Sequence, residues 1–224
     1  RQFMSFNKGT SQQAYPSSLM GSVALIRQTL SDANWYKSAY GKTDLRFQEQ
    51  AVEYNSDLAV LRNLENMGVI FEPGSQQSVL RADGIMDNFN VSTIQVASGY
   101  EYARIDDIKR TKNSFIVPVN FPAAPDVADI NDGNDVNLSH LRHWERAPTN
   151  AAVLSDNGVA IAFTMHGLKK KTDFWGNVKK AVKNGLSKDD ALRALTVTPA
   201  NMSRAGRKVG RLSAGYRADF VVAT

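Results

Sequence analysis

The chain of 224 residues contains no cysteine. Disulfides, cysteine-bound zinc and thiol nucleophiles are therefore excluded together. Histidine is scarce too, with three residues, His140, His143 and His166. No apolar run approaches the roughly 18 residues that a membrane-spanning helix needs, and no charged-then-apolar leader opens the chain. No G-x-S-x-G follows a strand-like run and no G-x-x-x-x-G-K-[ST] occurs, so serine-triad, P-loop and Rossmann readings have no support. The net charge of +5 and pI near 9.4 would allow an anionic partner. The basic residues are scattered, however, and the one tight run, Lys169-Lys170-Lys171, reads as a solvated loop. No nucleic-acid module is present.

What is there is the composition of a soluble globular chain, 42% hydrophobic and 22% charged. Residues 1–16 are polar and irregular. From Ser17 or Ser18, the spacing of Leu19, Met20, Val23, Ile26 and Leu30 predicts an amphipathic helix, broken at Tyr40-Gly41-Lys42. A second helix is expected from about Phe47 or Asn55 to Met67, ended by Gly68. Short apolar strands then alternate with helices. The strands are Val69–Phe71, Ser92–Val96, Phe115–Val119 and Val159–Thr164. The helices pass through Leu80 to Phe89, Tyr102 to Ile108, Pro148 to Asp156 and Phe174 to Val182. This alternation is the signature of a parallel sheet with helical crossovers. Gly99-Tyr100-Glu101 reads as a tight turn, Ala123 to Ser139 as a long polar loop, and His140 and His143, three apart, as surface-loop residues.

The C-terminal stretch is the most informative. Ser187, three residues before Asp190, reads as a helix N-cap, followed by Ala191, Leu192 and Leu195 on one helical face. Thr198-Pro199 reads as cap and first turn of a further helix. Val209, Leu212, Phe220 and Val221-Val222, punctuated by Gly210 and Gly215, predict short β segments joined by a tight turn. In that order and spacing, Ala191, Leu192, Ala194, Thr196, Pro199, Ala200, Gly210, Leu212, Gly215, Ala218, Asp219, Phe220 and Val222 resemble the C-terminal signature of the amidohydrolase superfamily, A-L-x-A-x-T-x-x-P-A followed by G-x-L-x-x-G-x-x-A-D-F/L-V/I-V. The layout is similar to the C-terminal half of imidazolonepropionase-like and dihydroorotase-like members.

The resemblance implies an α/β fold. Residues 51–205 would be the second half of a (β/α)8 barrel, after a helical and irregular lead-in at 1–50. Residues 206–224 would return to a small β-sandwich. Arg1 is not a Met and four strands do not close a barrel, so the chain is expected to be a piece of a longer polypeptide whose remainder supplies the first half. A homo-oligomer is compatible, and the compartment is left open. The implied activity is metal-dependent hydrolysis of non-peptide C–N bonds, with zinc foremost among the divalent ions.

The resemblance also says where ligands should stand, at the C-terminal ends of the strands. There the chain departs from the family pattern. Glu72, in I-F-E-P-G, stands where a His is expected, and reads either as a harder metal ligand or as a polar strand end. Ala97 or Ser98 stands where the next His is expected. His166, in F-T-M-H-G, stands where the family has an Asp that acts as proton shuttle. It is read as a catalytic and metal-binding candidate or as a residue left in an inactive mouth. Asn120, Phe121, Pro122 and Asp126 should form a loop over the same mouth. Glu72, Ser98, Asn120 and His166 are expected near one rim. With this ligand set, the isolated chain is expected to hold no stoichiometric transition metal, and the alternative function is a degenerate, metal-free scaffold domain within a larger protein.

Overall fold

The computed structural model describes residues 1–40, 52–126 and 136–222, together with Asp129 and Gly133. Five strands form one sheet in sequence order, β1 (Gln2–Ser5), β2 (Val69–Glu72), β3 (Thr93–Val96), β4 (Ser114–Pro118) and β5 (Ile161–Thr164). Every neighbouring pair is parallel, which demands a crossover at each step. Helices α1 (Leu19–Tyr40), α2 (Ser56–Leu61) and α3 (Leu64–Met67) lie between β1 and β2. Helix α4 (Gln76–Asp87) precedes β3 and α5 (Ile105–Arg110) precedes β4. Helices α6 (Leu138–Arg146) and α7 (Asn150–Asp156) lead to β5. The chain then forms α8 (Phe174–Lys183), α9 (Lys188–Leu195) and α10 (Val197–Met202).

The four strands expected between 69 and 164 are present, adjacent and parallel. β1 was not expected, since residues 1–16 read as irregular. It is a four-residue edge strand whose Phe3 is exposed, so its conformation comes from the ladder with Val69–Glu72 and not from any pattern of its own. The second helix is split into α2 and α3, with Asn55 capping the first by accepting from the Asp57 and Leu58 amides. His140 and His143 lie in helix α6, not in a loop. Ser187 caps α9 as expected, accepting from the Asp190 N–H. Thr198 is not a cap, because α10 begins one residue earlier, at Val197. From Ala205 to Val222 no described residue is in a strand. Leu212, Phe220, Val221 and Val222 are exposed, and strand-forming side chains without a ladder partner do not make a strand. The helix break at Gly41-Lys42, the start near Phe47 and most of 127–135 lie outside the described residues.

The sheet has two faces set by the period of two. Val69 and Phe71 pack with Leu30, Ala82, Ile85 and Met86 of the helical layer. Phe115, Val117 and Ile161 pack with Ile108, Leu154 and Ala181. The alternate positions, Ile70, Glu72, Ile116 and Thr164, face the other way and are half-buried.

The sheet curls so that its distant strands meet at both rims. At the N-terminal rim, α10, which packs on β5, ends next to the start of β1 and β2. The Arg204 guanidinium donates to the Asn66 and Met67 carbonyls, and Arg1 donates to the Met202 carbonyl at 2.9 Å. At the C-terminal rim, Glu72 of β2 meets His166, two residues past β5, at 3.3 Å. Along a flat sheet, three strand spacings would hold β2 and β5 about 14 Å apart. The register shows the stagger that goes with this curl. Phe71 is level with Gln95, Phe115 and Ile161. Glu72 is one residue past that row and His166 five past it, a climb of four residues. A barrel with a shear of eight over eight strands climbs roughly three across three strand intervals.

Candidate functional site at the C-terminal rim

Each rim residue follows its strand with the same parity. Glu72 ends β2, Ser98 is two past Val96, Asn120 two past Pro118 and His166 two past Thr164. By parity all four would continue the face opposite the helical layer. Glu72 and His166 meet at the rim, whereas Ser98 and Asn120 line a cavity shared with Ala147, Asn150 and Ala151 of the helical side. His166 Nε2 and Glu72 Oε1 form the 3.3 Å pair. Gly167, in the left-handed region at φ +74, brings the backbone after His166 against Asn120. A Cβ at Gly167 would stand 2.4 Å from Asn120 Nδ2, the end of a side chain that can turn away, so it is the left-handed backbone that favours glycine here. Asn120 and Ser98 line one cavity of about 140 Å³. His166 and Glu72 are partly exposed, with 62% and 37% of their side-chain surfaces open. Such a pair contributes little to stability, and its significance is where it places a carboxylate against an imidazole.

Ser98 is not available as a ligand. Its Oγ donates to Glu101 Oε1 at 2.7 Å and its N–H donates to the same oxygen at 2.6 Å. The other oxygen, Oε2, accepts from the Gly99 N–H at 3.0 Å and from Asn150 Nδ2 at 2.9 Å. Glu101 is fully buried and Asn150 nearly so, and Asn150 Oδ1 accepts from the Tyr102 N–H at 2.8 Å. This network pins the turn after β3 to the first residue of α7. Ala97, the other candidate at this position, is buried in the helix-side core and carries no ligating atom.

Above the network sits an aromatic stack. The His143 ring lies on Tyr100 with centroids 3.5 Å apart and planes 10° from parallel, and Nδ1 is 3.1 Å from the Tyr102 hydroxyl. Burial lowers the His143 pKa, reinforced by the nearby His140 and opposed by Glu101. Burial also raises the Tyr102 pKa, with Tyr100 and Glu101 adding to the rise and Arg146 opposing it. The residues the sequence reading missed are therefore Glu101, Asn150, Tyr102 and His143. A signal for the first was present, since Ser98-Gly99-Tyr100-Glu101 is the S-x-x-E pattern of a capping box, in which the Glu reaches back to the Ser amide.

A catalytic divalent ion needs at least three protein ligands and an open position. Among the described residues no cluster of three or more His, Asp or Glu is placed to hold one. Glu72 and His166 make two donors, and Ser98 is committed elsewhere. The described residues alone do not complete a metal site. No described helix is long and apolar enough to cross a membrane.

A curled parallel α/β sheet with helical crossovers is the architecture of a partial TIM barrel. Residues 81–224, well over half of the chain, match the model of the amidohydrolase family. The chain belongs to that family, a family of hydrolases. An amidohydrolase from Thermotoga maritima MSB8 has a similar structure, with TM-score 0.71 at 18% identity over 91% of this chain and 50% of that one. A prolidase complexed with N-methylphosphonate-L-proline is similar with TM-score 0.52 at 12% identity, over 98% of this chain and 60% of that one. At these identities the likeness is one of fold. The chain spans about half the length of the amidohydrolase it resembles. No curated protein sequence matches it.

Proposed function

We propose that this chain forms the second half of the catalytic barrel of a metal-dependent hydrolase of non-peptide C–N bonds, with imidazolonepropionase-like and dihydroorotase-like enzymes as the reference chemistry. The observation that carries the reading is the Glu72–His166 pair at 3.3 Å on the rim. Beside the Glu72 carboxylate, the His166 imidazole is placed to take a proton from a water and return it to a leaving nitrogen. Asn120, held against Gly167, stands beside the pair and can orient an amide oxygen. The sheet edges at β1 and β5 are unpaired among the described residues, which fits the three further strands of an eight-stranded barrel being supplied by the remainder of the polypeptide. That remainder would also supply the missing ligands.

A divalent ion, zinc foremost, would acidify a bound water and polarise the scissile carbonyl. Glu72 is the residue of this chain available to help hold it, and His166 could do so only in place of carrying the proton. The family match and the paired rim residues favour this reading over a metal-free scaffold.

The test compares the longer polypeptide, its His166→Ala variant and the isolated chain on cyclic imides and ureides. Removing a general acid–base group should lower kcat/KM by about 10²- to 10⁴-fold, and the isolated chain should bind less than one equivalent of metal. A His166→Ala enzyme with unchanged kcat/KM would refute the assignment of the pair.

A further inference from the structure

The cavity of about 140 Å³ beside the rim is not explained by the Glu72–His166 pair. It lies between the turn after β3, the segment after β4 and the junction of α6 with α7. Its lining mixes apolar side chains, among them Phe121 and Ala151, with polar groups from Ser98, Asn120, His143 and Asn150. A cavity of roughly 150 Å³ accommodates a ring the size of benzene, so this one takes a group of about six heavy atoms.

The hydrogen bonding decides what that group must carry. Glu101 is fully buried beneath the floor and its oxygens are occupied by Ser98, Gly99 and Asn150. Its charge works against an anion in the cavity, and the apolar part of the lining works against desolvating any ion. The Tyr102 hydroxyl and His143 Nδ1 stand 3.1 Å apart; which of them donates depends on the imidazole tautomer, and we assign the hydroxyl as the donor. The proton of that imidazole is then on Nε2, which has no hydrogen-bond partner among the described residues. Stacking on Tyr100 holds the ring, so the Nε2–H donor is set before any ligand arrives. Asn120, whose side chain makes no hydrogen bond among the described residues, offers its amide beside it.

We infer that this cavity binds a small, uncharged, ring-sized group bearing a hydrogen-bond acceptor, which the His143 Nε2–H recognises. That the group is part of the substrate, held next to the Glu72–His166 pair through Asn120, rests on the hydrolase reading above. The occupancy of the cavity does not.

The experiment titrates the purified chain with 2-pyrrolidinone, a neutral ring of six heavy atoms with one carbonyl, and with cyclopropanecarboxylate, a ring-bearing anion with the same number of heavy atoms, as control. Binding is followed by the amide shifts of Gly99, Asn120 and Ala151 and by the His143 ring nitrogens. Saturable shifts with 2-pyrrolidinone, and affinity at least fivefold weaker for the carboxylate, are expected. His143→Phe keeps the stack and removes the donor, and should weaken 2-pyrrolidinone about fivefold, the equivalent of one neutral hydrogen bond. Ala151→Met, which fills the space, should abolish binding. If Ala151→Met does not fold, the His143→Phe comparison still decides. Absence of saturable shifts, equal affinity of His143→Phe, or tighter binding of the carboxylate would each overturn the proposal. Binding retained by a polypeptide that hydrolyses nothing would count against the hydrolase reading and leave the pocket standing.

Discussion

Replacing Glu101 by Gln changes one atom of a buried side chain, and the structure shows why it should be costly. Oε1 receives two donors, the N–H and Oγ–H of Ser98, and Oε2 receives two, from Gly99 N–H and Asn150 Nδ2. A carboxylate is acceptor-only, whereas an amide must place an NH₂ against one of these pairs. In the better orientation the NH₂ faces Ser98, whose hydroxyl can turn to accept. The Ser98 N–H then has no partner, at about 1–3 kcal/mol for a buried orphan. The remaining bonds fall from charge-assisted to neutral, worth roughly another 1 kcal/mol. A total near 3 kcal/mol lowers the melting temperature by about 6–12 °C for a chain of this size. Circular dichroism melts of wild type, Glu101→Gln and Glu101→Ala provide the assay, with Glu101→Ala at least as destabilised because it orphans every donor. A Glu101→Gln melting point within about 2 °C of wild type would refute the claim that four donors fix this carboxylate.

Two further predictions concern the same rim. Gly167→Ala should destabilise by about 1–2 kcal/mol from the left-handed backbone, with a smaller addition from turning the Asn120 side chain away. In an Asn120→Ala background only the backbone part should remain, a non-additivity that a double-mutant cycle of denaturant midpoints would measure. His143, whose pKa is lowered by burial and by His140, should make stability depend on pH in one direction. The unfolded chain takes up the proton first, so the stabilising contribution is fully present above about pH 6.5. It is lost as pH falls through the lower folded pKa, and His143→Phe should flatten that part of the stability profile.

The strands of residues 69–164 were legible because buried parallel strands read as short apolar runs, as Val69–Phe71, Phe115–Val117 and Ile161–Phe163 do, while Thr93–Val96 alternates β-formers with the polar Thr93 and Gln95. β1 was not, because an edge strand is defined by its partner. Nothing in Gln-Phe-Met-Ser separates it from the polar segment that follows, and only pairing with β2 makes it a strand. The C-terminal segment failed in the opposite sense. Val209, Leu212 and Phe220–Val222 have strand propensity, yet propensity without a ladder leaves Leu212 and Phe220 to Val222 exposed. Local pattern thus predicts strands reliably where burial on the sheet and pairing coincide, and misleads where one is present without the other.

The rim followed from a different kind of inference, and its limits are instructive. That Glu72, Ser98, Asn120 and His166 converge depends only on strand ends and parity, both countable in sequence, and the pair, the close approach and the shared cavity realise it. What each residue does there depends on neighbours that counting cannot supply. Ser98 looked like an empty ligand position, yet its hydroxyl is bound to a buried glutamate three residues on. His143, three residues from His140 and far from any strand, looked like surface. It became a wall of the cavity because Asn150, at the head of α7, is tied through Glu101 to the turn after β3, which carries α6 over Tyr100. The carboxylate that fixes this geometry is not itself exposed to any ligand. Its removal should disturb the cavity and leave Glu72 and His166 in contact, so Glu101→Gln separates the two parts of the rim more cleanly than any change at the rim itself.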